Sequence, residues 1–202
     1  MRLNRKIGRL ARWIAFGALT IAATAAAGRA QDQKPGELRF TADTSTERDA
    51  GVWIDGKYVG YLKELHGDKK VLLPPGDHEV TVREAGYKDF TQKVTMHPGE
   101  VQLMMVMLTE SEKVIYPGNN AAELRLDVKP KQAAVYVDDQ YMGHGADFGG
   151  RFHSMLLIPG KHHVRIVQPG YQTWEMDLTV DANVKSQLKA DLMPCAVGTE
   201  CK

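Results

Sequence analysis

The chain states one pattern twice. The stretch PPGDHEVTVREAGYKDF, Pro74 to Phe90, returns as IPGKHHVRIVQPGYQTW, Ile158 to Trp174, with Gly86 and Gly170 84 positions apart. Upstream, AGVWIDGKYVG (Ala50 to Gly60) lies over AAVYVDDQYMG (Ala133 to Gly143) at an offset of 83, so Val52, Ile54, Asp55, Tyr58 and Gly60 meet Val135, Val137, Asp138, Tyr141 and Gly143. One more residue separates the two blocks in the second copy. Identities kept in order over roughly seventy residues mark an internal duplication. Whatever this chain folds into, it folds into it twice, and each unit is small enough to bury only a modest core.

Each unit reads as strands. ELRFTA and AELRLDV alternate polar and apolar, with Leu38 and Phe40, then Leu124, Leu126 and Val128, on one side. VWI and VYV run into Asp55-Gly56 and Asp138-Asp139, residue types that tolerate the positive φ of a two-residue hairpin turn. Val80 and Val82, then Val164 and Ile166, continue the inward rows, followed by Phe90, Val94 and Met96, then Trp174, Met176, Leu178 and Val180. In the closing runs EVQLMMVML and NVKSQLKADL, the inward positions are taken as Val101, Leu103, Met105 and Met107, and as Val184, Leu188, Ala190 and Leu192. Pro-Gly and Gly-Tyr pairs punctuate these runs as turns do. No sustained helical period interrupts them. The pattern predicts an all-β chain, two tandem small antiparallel β-sandwich domains after a signal peptide.

The signal peptide occupies residues 1–30. Arg2, Arg5, Lys6, Arg9 and Arg12 precede the apolar run Trp13 to Ala27, and small residues Gly28 and Ala30 stand before an expected cut between Ala30 and Gln31. The run falls short of the roughly 20 apolar residues of a bilayer span, the alternative being an uncleaved anchor. Beyond it the sequence predicts a loose N-terminus at 31–36, repeat 1 at 37–108, a linker at 109–121, repeat 2 at 122–193 and a tail at 194–202. The expected product is exported by the Sec route to the periplasm or cell surface, with no transmembrane anchor after cleavage. The leader holds six of the 26 basic side chains and none of the 25 acidic ones, leaving the remainder at a net −5. An acidic chain with no basic stripe predicts no nucleic-acid partner. Cys195 and Cys201 both lie in the tail, where export favours a disulfide closing a small loop.

The residues Pro130-Lys131-Gln132-Ala133-Ala134-Val135-Tyr136-Val137-Asp138-Asp139 resemble the opening of the PEGA domain, Pro-Glu-Gly-Ala followed by alternating valines and Asp-Gly. The later Pro-Gly-x-His-x-Val and Gly-Tyr landmarks resemble the rest of that domain. The resemblance covers most of residues 37 to 193. It implies a small β-sandwich found in exported and surface proteins, often in tandem, with no catalytic residues.

The search for chemistry turns up little. His153, His162 and His163 form the densest histidine group, but 162 and 163 are strand neighbours and point to opposite faces. His162 also aligns with His78, a recurrence beside a turn that suits a structural role. Asp55, Asp138, Asp139 and Asp147 suit turns rather than a calcium loop. Ser154 next to His153 lacks a nucleophile elbow. The Gly-rich insertion Gly143 to Phe152, where the copies differ most, lacks the Gly-Lys-Ser/Thr of a phosphate loop. No catalytic, cofactor or metal residue is predicted, and no cofactor. The candidate binding face is Trp53, Tyr58, Tyr136 and Tyr141. Strand parity sets Trp53 and Tyr136 opposite the inward valines, where they face solvent and a ligand, or else the other sheet, the linker or the sister unit. The expected activity is a non-enzymatic binding or scaffold module of the cell envelope. Its partner would be an envelope protein, or alternatively an envelope polysaccharide or peptidoglycan; an unrecognised hydrolase is the remaining alternative.

Overall fold

A computed structural model describes residues 34–65, 70–111, 118–150 and 153–196, and residue 201. The leader and the expected cut at Ala30 and Gln31 lie outside the described residues, as does part of the 109–121 linker.

In repeat 1, β1 (Gly36–Ala42) leads through α1 (Ser45–Asp49) to the hairpin β2 (Gly51–Ile54) and β3 (Lys57–Tyr61), then a 3₁₀ turn at Leu62–Glu64, β4 (Val71–Leu73), β5 (Gly76–Arg83), β6 (Phe90–Met96) and β7 (Val101–Val106). Repeat 2 follows the same order with β8 (Ala122–Lys129), β9 (Ala134–Val137), β10 (Gln140–His144), α2 (Gly145–Phe148), β11 (Met155–Leu157), β12 (Gly160–Val167), β13 (Trp174–Val180) and β14 (Lys185–Asp191). The sheets run β4-β1-β7 and β3-β2-β5-β6 in repeat 1, and β11-β8-β14 and β10-β9-β12-β13 in repeat 2. The two sheets of each repeat close over their own core. Leu38, Phe40, Val52, Val80, Val82, Met96 and Val106 fill the first. Leu124, Leu126, Val128, Val135, Val164, Ile166 and Val180 fill the second. Both repeats fall within one compact unit.

The hairpin turns form as the sequence requires. Asp55 and Gly56 take φ of 51° and 76°, Asp138 and Asp139 take 50° and 63°, the left-handed pair of a two-residue turn. One pairing departs from the all-antiparallel expectation. The first and last strands of each repeat, β1 with β7 and β8 with β14, run parallel. A parallel pair needs a long crossover, and here the rest of the repeat serves as one.

A second correction concerns β7. Val101, Leu103, Met105 and Met107, read as inward, are 53–65% exposed, while Met104 and Val106 point into the core. In repeat 2 the reading holds for Ala190 and Leu192, which are buried, but Val184 and Met176 are exposed. β7 is apolar on both alternations, so period alone does not choose its face. Core packing chooses: Met104 and Val106 stand at the positions of Leu188 and Ala190, 84 residues on.

The short helices went unread because neither is long enough to show a 3.6 period. Each is held by its cap. Thr44 accepts from the Glu47 amide at 3.1 Å, and the Glu47 carboxylate accepts from the Thr44 amide at 3.0 Å, a capping box. The buried Glu47 carboxylate also accepts from the amides of Asp43 and Leu108. These bonds, that from Thr44 foremost, outweigh burial and keep its carboxyl below the usual range.

Candidate functional site

The hairpins β2–β3 and β9–β10 carry the four aromatic residues singled out from the sequence. Strand parity does turn their rings away from the valines. They do not reach solvent: Trp53, Tyr58, Tyr136 and Tyr141 are all under 10% exposed. They form one cluster with Ala134 where the two repeats meet. The Trp53 indole N–H donates to the Tyr136 hydroxyl at 2.9 Å. The Trp53 ring stands edge-on to Tyr141 and Tyr136, with centroids 4.9 and 6.4 Å away. The guanidinium of Arg83 lies 5.0 Å from the Trp53 ring and that of Arg165 4.1 Å from Tyr136. The expectation of an accessible aromatic face therefore gives way to the sister-unit alternative. Each hairpin leaves its outer face apolar, and the copies cover one another.

The contact is close to self-complementary. Trp53 and Tyr136 are equivalent positions and touch; so are Tyr61 and His144, whose rings lie 4.6 Å apart. That is how an isologous pair meets across a two-fold axis. The match breaks at the rim. The Tyr58 hydroxyl donates to the Gln132 carbonyl at 3.0 Å, whereas the Asp49 carbonyl, Gln132's equivalent, is 2.6 Å from His144 Nε2. The Tyr141 hydroxyl is left enclosed without a hydrogen-bond partner, and burial drives its acidity well out of the aqueous range.

The histidines serve as turn clamps. His78 Nδ1 lies 2.7 Å from the Asp55 carboxylate and Nε2 2.9 Å from the Pro74 carbonyl. His162 repeats this with Asp138 at 2.6 Å and the Ile158 carbonyl at 2.7 Å. Carbonyl and carboxylate oxygens only accept, so both contacts of a ring are hydrogen bonds at once only when both ring nitrogens donate, that is, in the imidazolium form. His78 is raised, chiefly by its bond to Asp55. In His162 burial opposes the charge, but the bonds to Ile158 and Asp138 raise it on balance. His163 turns the other way, to Asp177 at 2.6 Å. Among the described residues no group of three or more His, Cys, Asp or Glu side chains is placed to hold a metal ion. Cys195 and Cys201 are joined in a disulfide.

A surface that the sequence reading missed lies on the outside of β4-β1-β7. Leu72, Val101, Leu103, Met105 and Met107 are all more than half exposed, in register with the outward Glu37, Arg39 and Thr41 of β1. A groove of about 390 Å³ runs along β1 on this side, lined by Glu37, Arg39, Thr41, Leu65, Lys70 and Leu103. The equivalent row on β14 reads Lys185, Gln187, Lys189 and Asp191. Laying the two copies over each other supplies the missing signal, because an inward Leu103 would demand an inward Gln187.

The family model of the PEGA domain matches residues 44–112 and 121–195. No curated protein matches the chain. Among solved structures it is similar to the Bacillus anthracis TIE protein, at 16% identity over 80% of this chain and 34% of that one, with a TM-score of 0.28. The chain thus spans about a third of that protein's length. It is similar also to GBS52, the minor pilin of Streptococcus agalactiae, at 11% identity over 84% of this chain and 99% of that one, TM-score 0.26. A third similarity is to SGBP-B of the Bacteroides ovatus mixed-linkage glucan utilization locus, solved with a mixed-linkage heptasaccharide, at 11% identity over 66% and 37% of the two chains, TM-score 0.18.

Proposed function

This chain belongs to the PEGA-domain family, and for a member that sets two such domains face to face we propose a non-catalytic binding and scaffold role in the cell envelope, directed at a protein partner. The exposed row on β7 carries the reading. Val101, Leu103, Met105 and Met107 contribute little to the core of repeat 1, and the same scaffold in repeat 2 does without them. A contiguous apolar surface that folding does not require is a common mark of an interaction site. β7 is also an edge strand with no charged side chain over Val101–Val106, and such a strand is open to pairing with an extended segment. The rings of Trp53, Tyr58, Tyr136 and Tyr141, the sequence's candidates for sugar stacking, are occupied by the junction. The basic, apolar and small-residue parts of the leader support an exported location.

The test is a crosslinking pulldown from the envelope fraction, comparing the native chain with a variant carrying repeat 2's residues, Leu103→Gln with Met105→Lys. A discrete protein retained by the native chain and lost by the variant, unaffected by soluble envelope glycans, is the expected result. Retention that glycan competes away, or that survives the double substitution, would reject this reading.

A further inference from the structure

At the rim of the junction two ionisable groups stand in places that the core does not demand. His144 closes β10 and is 5% exposed. Its Nδ1 lies 2.7 Å from Oδ2 of Asp147 on α2, and its Nε2 2.6 Å from the Asp49 carbonyl of repeat 1. Both partners only accept, so the two contacts are hydrogen bonds together only while both ring nitrogens carry protons, in the imidazolium form. One proton ties the ring to its own helix; the other ties repeat 2 to repeat 1.

Glu84 follows β5 and comes from repeat 1. Its Oε2 is enclosed and meets no hydrogen-bond partner. Its equivalent in repeat 2, 84 residues on, is Gln168, whose Oε1 is likewise enclosed and unpartnered. One copy thus has an amide where the other has a group that titrates.

The other charged or titratable groups around the pair come from every packed element. Asp49 ends α1; Tyr61 closes β3, followed by Lys63 and Glu64; Lys131 comes from the β8–β9 turn. Arg83 precedes Glu84 in a cleft that Asp89, Asp139 and Tyr141 also line. Asp147 is on α2, and His153 acts on it from beyond that helix.

We propose that the junction is a proton-controlled clamp. With both ring protons on His144 and the carboxyl proton on Glu84, the repeats are held as one block; without them, the repeats reorient.

The signs agree. Burial disfavours the His144 cation, but the Asp147 carboxylate and the Asp49 carbonyl outweigh it, so the ring is raised above 6.5. Its contribution is complete below that ordinary value and is lost as pH climbs through the raised one. Glu84 is pushed from 4.5 up to about 7, first by burial and then by Asp147 and Asp49, against His144. Its enclosed carboxyl favours the protonated form, so the junction weakens as pH climbs across that interval. Asp147 acts in the opposite sense. Burial works to raise it, the bonds from His144 lower it on balance below 3.8, and its hold fails only in stronger acid. The clamp is tightest in mild acid.

Residual dipolar couplings measured across pH test this on the protein in solution. One alignment tensor should fit both repeats at about pH 5.5, and each repeat should need its own at about pH 8.5. A single shared tensor at both values overturns the proposal. Glu84→Gln copies what repeat 2 carries. It should delete the lower part of the transition and leave a later step set by His144. The nitrogen shifts of His144 should report both ring positions protonated at about pH 6. A transition unchanged in Glu84→Gln, or a His144 ring already neutral at that pH, overturns it equally.

Discussion

Repeat 1 and repeat 2 carry the same core on the same strands and differ in what they show outside it. The inward rows correspond place for place: Val52 with Val135, Val80 with Val164, Val82 with Ile166, Met104 with Leu188. The outer row of the last strand does not, with Val101, Leu103 and Met105 in one copy and Lys185, Gln187 and Lys189 in the other. The junction mixes the two situations. Trp53 faces Tyr136 and Tyr61 faces His144, equivalent places filled by different side chains. The difference teaches that the sandwich tolerates either outer face. The burial that holds a repeat together comes from its inner rows, and β14 shows that charge outside them is compatible with the same fold.

The largest expected effect comes from breaking the place where the copies meet. Trp53→Ala removes the ring that Tyr58, Tyr136 and Tyr141 all contact. Loss of a buried tryptophan costs about 3–5 kcal/mol. Because the contacts with Tyr136 and Tyr141 lie between the repeats, calorimetry should replace one cooperative transition with two, near the separate stabilities of the units. A single transition merely shifted downward would mean that the repeats do not unfold as separate sandwiches once uncoupled.

The next effect tests whether the copies share a device as well as a core. His78→Asn and His162→Asn each remove an imidazolium that bridges a turn carboxylate and a carbonyl. Hydrogen bonds to charged groups contribute about 1.5–3 kcal/mol, and with Asp55 and Asp138 half exposed the loss should be about 1–2 kcal/mol at each site. Both rings are raised, so this stability is whole below about pH 6.5 and fades as pH rises through their folded values. Urea midpoints followed from about pH 6 to 9 should fall for the native chain and stay flatter in each variant. A matching loss in the two variants would establish one clamp used twice; an effect in only one would show that the turns are held differently.

Much of this comparison is legible in the sequence and part of it is not, for identifiable reasons. Asp55-Gly56 and Asp138-Asp139 announced their turns because few residues accept positive φ. The recurrence of His78 at His162 pointed to a structural role beside a turn, but not to the carboxylates that hold the rings. Strand parity gave the side on which Trp53 and Tyr136 emerge. Parity states a face and never what covers it, so ligand, other sheet, linker and sister unit read alike. Alternation has no direction, so β1 could not be told parallel to β7. Val101 to Val106 are apolar on both alternations save Gln102, and there only the second copy's lysines settle the register. His144 stood unmarked because its role depends on the Asp49 carbonyl, 95 residues away in sequence.

The smallest effect comes from making the two hairpins alike. Asp139 holds a φ of 63° where repeat 1 has Gly56 at 76°. A residue with a Cβ is strained in that region, and glycine is not. Against this, glycine has more conformational freedom to lose on folding, and Asp139 gives up a 3.6 Å ion pair with Arg165. At 85% side-chain exposure for Asp139, that pair is weak. The relieved strain should outweigh the entropy by about 0.5–1 kcal/mol, so Asp139→Gly raises the urea midpoint slightly without changing its slope. The reverse exchange, Gly56→Asp in repeat 1, should lower it by a similar amount. If both substitutions destabilise, the two turns are not interchangeable and each has adapted to its own residue.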